Sequence, residues 1–172
     1  MLENFRIFAI KETTSISPRT GKEHAFYVLD SADWVNVIPI TPEGKVVLIH
    51  QFRHGTEEIT LEIPGGVVDA SDAKPAESAR RELLEETGYD TDNIIQIGEV
   101  TPNPAILNNR CYTFLAKDVK LTQKPAFDSS EDIAIELFEL EAIPTLIQSG
   151  RIHHALVVAA FFHLEQYCKH SI

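Results

Sequence analysis

The chain has 172 residues, 44% of them hydrophobic, with 26 acidic side chains against 15 basic ones and a formal net charge of -11. A sequence of this size and mix is expected to fold as one compact acidic domain burying on the order of 70% of its unfolded surface, which excludes intrinsic disorder and collagen-like repeats. Its charge repels phosphate backbones and anionic lipid, so neither nucleic acid nor a membrane is an expected partner; something small, or cationic, is.

Phe5 to Lys11 and Glu23 to Leu29 surround Ser17-Pro18-Arg19-Thr20-Gly21, the pattern of an N-terminal antiparallel hairpin with a longish turn. Trp34 to Ile40 and Lys45 to Phe52 flank Thr41-Pro42-Glu43-Gly44, whose Pro and Gly suit a tight turn. A short strand is expected from Thr60 to Ile63, broken by Pro64-Gly65-Gly66. From Pro75 the period changes: Ala76, Ala79, Leu83 and Leu84 form a helical stripe ending at Gly88, a residue suited to a left-handed cap. Ile94 to Val100, Arg110 to Ala116 and Ile133 to Leu137 read as strands. Glu141 to Gln148 and His154 to Tyr167 read as closing helices. Strands interleaved with helices predict an α/β or α+β sandwich, with no internal repeat or long linker across residues 1–172.

MLENFRIFAI lacks a basic segment followed by an apolar core, so no signal peptide is expected, and the longest apolar stretch, Ala155 to Phe162, is too short to span a bilayer. Cys111 and Cys168 are 57 positions apart, and are expected to be reduced thiols of a cytoplasmic protein. The histidines lack the spacing and the thiol partners of a zinc site.

The chemistry concentrates in Arg81-Glu82-Leu83-Leu84-Glu85-Glu86-Thr87-Gly88 and the preceding Gly65-Gly66-Val67-Val68-Asp69. Glu82 and Glu86 lie one helical turn apart and project from one face, with Glu85 beside them. Like charges at that spacing destabilise a bare helix but suit a hard divalent cation, which takes oxygen ligands from one or two carboxylates plus substrate phosphates. An ordinary solvated Glu-rich face is an equally good reading of the spacing alone. Arg81 is placed to pair with Glu77 or Glu85. Arg53, emerging from an apolar strand, offers a guanidinium fork for phosphate.

This string resembles the Nudix box of the Nudix hydrolase family, matching at Arg81, Glu82, Leu83, Glu85, Glu86 and Gly88. Gly66 lies one residue further from Arg81 than the family pattern, and Ala73 stands where that pattern has glutamate, with Asp72 beside it as a substitute through a bulge. Gln51-Phe52-Arg53-His54, Leu61-Glu62-Ile63-Pro64-Gly65-Gly66 and Pro104 are similar to the ADP-ribose pyrophosphatase branch. The resemblance implies a Nudix-type α/β/α sandwich with a mixed sheet and an N-terminal hairpin. It further implies magnesium-dependent (or manganese-dependent) cleavage of a pyrophosphate in a nucleoside diphosphate derivative, with ADP-ribose giving AMP and ribose 5-phosphate as the leading reaction. GDP-mannose or a dinucleotide is the alternative substrate, and a non-catalytic nucleotide sensor the alternative class.

By that resemblance Glu82, Glu85, Glu86, Glu131 and the Gly65 carbonyl hold metal, with Arg81 supporting them. Glu131, in Asp128-Ser129-Ser130-Glu131, completes a metal shell or orients water, while Ser129 replaces a glutamate that some members use as base. Glu62 and Trp34 are candidates to face the nucleoside, although an aromatic in Trp34's setting is more often a core residue. The segment Asn108-Asn109-Arg110 departs from the branch's usual loop; Asn109 and Arg110 are candidate sugar or phosphate contacts, or else the asparagines simply close a turn. Residues 1–32 are expected to exchange between subunits of a homodimer, and residues 33–172 to form the catalytic core.

The charge has an address. Residues 62–90 hold eight acids against three bases, and residues 125–150 hold six acids and no base; together these two segments carry the whole excess.

Overall fold

The structure is a computed structural model describing residues 1–5, 7–127 and 132–170. The N-terminal sheet comprises β1 (Glu3–Asn4), β2 (Phe8–Ile16) and β3 (Glu23–Ser31), all antiparallel. The β2–β3 turn closes where the Ser17 N–H donates to the Lys22 carbonyl at 2.9 Å, with Gly21 at φ 68°. Phe26 and Tyr27 on β3, like Ile7 just ahead of β2, are exposed. This sheet joins the rest of the chain through a parallel bridge between Leu29 and Leu107.

The main sheet is built on β4 (Trp34–Ile40), β5 (Lys45–Arg53), β6 (Glu58–Glu62), β7 (Gly65–Val67), β9 (Ile94–Val100), β10 (Cys111–Lys117) and β12 (Ile133–Glu139). Its order is β12-β5-β4-β10-β9, and β10 runs parallel to β4 while the other pairings are antiparallel, so the sheet is mixed. Two-residue strands β8 (Tyr89–Asp90) and β11 (Lys120–Leu121) pair beside it.

Helix α1 (Pro75–Thr87) packs on one face, and α2 (Ile143–Gln148) and α3 (Ala155–His170) on the other. Alternation along β4 and β10 dictates this: Val35, Val37, Phe114 and Ala116 meet Ala79 and Leu83 of α1, whereas Ile38 and Leu115 meet Leu146, Val157 and Phe161. The result is the α/β/α sandwich expected from the sequence. Helix α1 begins with Pro75 and ends at Gly88, whose φ of 73° and N–H to the Leu84 carbonyl at 2.9 Å form a left-handed cap.

The strand breaks at Pro64 as expected, β6 ending at Glu62, but Gly65 and Gly66 do not stay in a turn: they open the next strand, β7. Strands β4 and β5 pair directly only at Ile40 and Val46, beside their turn, and then splay. The β6–β7 segment fills the split: β6 pairs with β5 through Glu62 opposite Ile49, and β7 with β4 through Gly65 opposite Asn36. Between them the Val37 N–H donates to the Pro64 carbonyl at 2.8 Å. Glycine is required for this close approach, because a Cβ on Gly65 would lie 2.4 Å from the Val35 carbonyl oxygen.

Candidate active site

Helix α1 presents its acidic face to the glycines in the split. Glu86 is only 2% exposed, and its Oε2 accepts the Gly65 N–H at 2.9 Å. Glu82 presses its carboxylate against Gly66 so closely that an added Cβ would lie 2.5 Å from Cδ. Arg81 Nη1 donates to Glu82 Oε1 at 2.9 Å and to Glu85 Oε2 at 3.1 Å, tying the outer carboxylates together. Burial works against the charge on Arg81, but Glu82 and Glu85 outweigh it and hold the guanidinium protonated. Of the two four-residue partners open to Arg81, the structure uses Glu85; Glu77 instead accepts the Ala73 N–H at 3.0 Å.

The loop before the helix is fastened by Asp72, next to the residue where the box departs from its pattern. Asp72 Oδ2 accepts the Ser78 hydroxyl at 2.7 Å and Arg81 Nη2 at 3.3 Å, so it ties loop to helix beside Ala73. Arg81 Nη2 also donates to the Val67 carbonyl at 3.3 Å.

Beside the carboxylates lies a cavity of about 280 Å³, bordered by Trp34, Asn36, Arg53, Glu62, Gly65 and His154 among others. Arg53 and Glu62 form a fork-to-fork pair, with Nε to Oε1 and Nη2 to Oε2 both at 2.7 Å. Thr60 adds its hydroxyl to Glu62 Oε1 at 2.5 Å. The Glu62 side chain is 3% exposed and that of Arg53 41%, so the arginine keeps an open edge. Burial pushes the Glu62 carboxyl up, but Arg53 and Thr60 together pull it below the ordinary range. Cys111 borders the same cavity, and burial, reinforced by Asp33, pushes its thiol up to about 12. A thiol so protonated at neutral pH is no nucleophile.

Two residues singled out in the sequence lie elsewhere. Asn109 is 2% exposed and donates from Nδ2 to the Ala32 carbonyl at 3.0 Å, bracing the link between β3 and β4. Arg110 is ion-paired with Glu99. Trp34 is half-buried at the cavity edge rather than sunk in the core. Glu131 falls outside the described residues. Asn36 and His154 carry no local motif; sequence reasoning missed both because only the crossing of α3 over β4 brings them to the cavity.

The donor chemistry of Glu82, Glu85 and Glu86 is all hard oxygen, which suits magnesium or manganese. Among the described residues no three His, Cys, Asp or Glu converge closely enough to hold an ion. A magnesium site that completes its shell with water and substrate phosphate fits this partial set.

A family model described as NUDIX domain matches residues 31–161. The ADP-ribose pyrophosphatase of Bacillus subtilis (strain 168) is 30% identical over 146 residues, covering 84% of this chain and 78% of that protein. A GDP-mannose pyrophosphatase of Yersinia enterocolitica is 36% identical over 121 residues, covering 64% of this chain and 61% of its own. The crystal structure of an ADP compounds hydrolase superposes with a TM-score of 0.84 at 20% identity, over 96% of this chain and 89% of the other, which speaks to the fold. The chain belongs to the Nudix family and is a Nudix pyrophosphohydrolase similar to ADP-ribose pyrophosphatases. No helix among the described residues is long and apolar enough to cross a membrane.

Proposed function

We propose that the protein hydrolyses the pyrophosphate bond of a nucleoside diphosphate linked to a sugar, with ADP-ribose as substrate and AMP and ribose 5-phosphate as products, in the presence of magnesium or manganese. The observation that carries this reading is the placement of Glu82 and Glu86 against Gly65 and Gly66 at the mouth of a cavity whose wall bears Arg53. The relative in Bacillus subtilis supports the choice of ADP-ribose.

When bound, the metal supplies charge neutralisation at phosphate oxygens and a more acidic water. The protein's own groups do the positioning. Glu86 is fixed by the Gly65 amide and Glu82 by Arg81 beside Gly66, which turns both carboxylates toward the glycine segment, with Glu85 joined to Glu82 through Arg81; the Gly65 carbonyl is assigned as a further metal ligand. The open edge of Arg53 grips a phosphate oxygen while Glu62 holds its other edge in orientation. Glu131 is assigned to the shell or to the water, and Arg110 and Asn109, held by Glu99 and Ala32, to no substrate contact. Glu62 and Trp34 border the nucleoside side.

Product analysis with ADP-ribose in magnesium is expected to give AMP and ribose 5-phosphate, with turnover abolished by excess EDTA and restored by magnesium. Absence of metal-dependent turnover on ADP-ribose, sugar nucleotides and dinucleotides alike would refute the reading. The Yersinia relative favours GDP-mannose as the second substrate to assay. A purely nucleotide-sensing role fits less well, since a binder gains nothing from the acidic helix face of Glu82, Glu85 and Glu86.

Residues 1–32 are assigned as a dimer arm and 33–172 as the catalytic core. The exposed Phe26, Tyr27 and Ile7 at the N-terminal hairpin support the arm, because apolar side chains on a projecting sheet favour burial against a second copy. Sedimentation at micromolar concentration is expected to give a homodimer, and a monomer there would contradict it. Two free thiols suit a reducing cytoplasm.

A further inference from the structure

Arg53 and Glu62 pair side-on, through Nε to Oε1 and Nη2 to Oε2. A guanidinium carries five N–H donors in one plane, so this pairing leaves Nη1 and the second hydrogen of Nη2 as a further fork. Nη1 makes no hydrogen bond among the described residues, and Arg53 borders the cavity with its side chain 41% exposed. The same two residues have another way to pair, end-on through Nη1 and Nη2, which matches the carboxylate equally well and uses up that fork. What separates the two pairings is the third partner of the carboxylate. Thr60, 4% exposed, places its hydroxyl 2.5 Å from Glu62 Oε1, the oxygen that also takes Nε. The Gln51 carbonyl lies 3.2 Å from the same hydroxyl. One hydroxyl has one proton, and the shorter contact to a charged acceptor takes it. Thr60 cannot follow a turning carboxylate, because its backbone is fixed opposite Gln51 in the sheet and a β-branched side chain is stiff.

We propose that Thr60 is a positioning residue: by holding Glu62 Oε1 it keeps Arg53 in the side-on pairing, and so keeps the Nη1–Nη2 fork free for two oxygens of a substrate phosphate. This rests on the phosphate contact assigned to Arg53 above. Pairing with Glu62 and gripping phosphate do not compete in this arrangement, since each uses a different edge of the guanidinium. Loss of the Thr60 hydroxyl frees the carboxylate to turn. Arg53 then pairs end-on, the buried charge stays matched, and what disappears is the fork offered to the ligand. Substrate affinity therefore falls while most of the stability is kept, in contrast to Arg53→Met, which leaves the Glu62 charge unmatched and loses both.

The test compares wild type with Thr60→Val, Thr60→Ser, Arg53→Met and the double variant Thr60→Val/Arg53→Met. kcat and KM for ADP-ribose are measured in magnesium, and Kd for ADP-ribose by calorimetry in EDTA. The Arg53 Nε–H resonance, assigned by its loss in Arg53→Met, is followed by NMR. Thr60→Val is expected to raise KM and Kd about tenfold, as for a lost hydrogen bond to a charged group, with kcat within about threefold of wild type. Its Nε–H resonance should move, because end-on pairing releases that proton. Thr60→Ser keeps the hydroxyl and should stay within about twofold of wild type with the resonance in place. Adding Thr60→Val to Arg53→Met should cost no further affinity, since the two act as one unit. A lower melting temperature with KM, Kd and resonance unmoved is what a purely structural threonine gives, and it overturns the inference. So does the same affinity loss with and without Arg53. If wild type turns over no ADP-ribose, the proposed substrate fails instead, while the metal-free Kd and the resonance still decide the role of Thr60; neither turnover nor binding by wild type overturns both.

Discussion

Glu86→Gln is expected to lower kcat by about a thousandfold, about 4 kcal/mol of transition-state stabilisation, while the metal-free protein melts within about 3 °C of wild type. Glu86 is buried and its Oε2 takes the Gly65 N–H at 2.9 Å, a bond the isosteric amide oxygen can keep. What the substitution removes is the negative charge and one acceptor. In the absence of metal a buried carboxylate is costly to hold ionised, so losing it does not destabilise the fold by itself. The same carboxylate is the group a cation would bind. Adding magnesium should therefore raise the wild-type melting temperature by mass action and leave that of Glu86→Gln unmoved. Kinetics and thermal melts with and without magnesium check both parts. A loss of turnover smaller than about tenfold would remove Glu86 from the metal assignment.

Arg53→Met should cost stability as well as activity. The Glu62 side chain is 3% exposed and takes two hydrogen bonds from Arg53, so removing the arginine leaves a buried carboxylate whose hydrogen bond among the described residues is the one from Thr60. Breaking a fully buried pair from one side costs about 3–5 kcal/mol; with Arg53 partly open to water, about 2–3 kcal/mol is expected, or roughly 4–12 °C in melting temperature.

The pH dependence has a definite sign. In wild type the Glu62 carboxyl lies below its ordinary range, so the pair's contribution is present above the unfolded pKa and is lost as pH falls through the folded one. In Arg53→Met burial acts unopposed by the arginine and the carboxyl rises, so the deficit is full at alkaline pH and shrinks as pH falls toward the unfolded value near about 4.3. Urea unfolding at pH 8 and pH 5 should show the larger gap at pH 8. Equal gaps at the two values would mean that Glu62 is not the group left unpaired.

How far the sequence reaches depends on whether the deciding interaction is local. Leu83 and Ala79 recur at helical spacing, and Gly88 supplies the left-handed cap, so α1 and its acidic face follow from neighbours within four residues. The apolar run Trp34 to Ile40, bounded by the Thr41-Pro42-Glu43-Gly44 turn, is equally local, and β4 appears with those bounds. Gly65 and Gly66 mislead for the same reason: their intrinsic preference is for a turn, and only the splaying of β4 from β5 recruits them as a strand. Asn109 and Arg110 read as ligand-binding types, yet their partners are Ala32, far back in the chain, and Glu99 on the neighbouring strand. His154 shows the converse, a residue in no motif brought to the cavity by the path of α3.

The amino-acid sequence determined the alternating helices and strands, the acidic helix with Glu82 and Glu86 on one face, and the two segments that hold the entire charge excess, because each depends on periodicity or on covalent neighbours. Tertiary structure decided what those carboxylates face. The split between β4 and β5 exposes the Gly65 amide to Glu86, and the opposite face brings Asn36 to Leu156 and His154. Those contacts join residues more than twenty positions apart, where packing of the two hydrophobic layers outweighs any local preference.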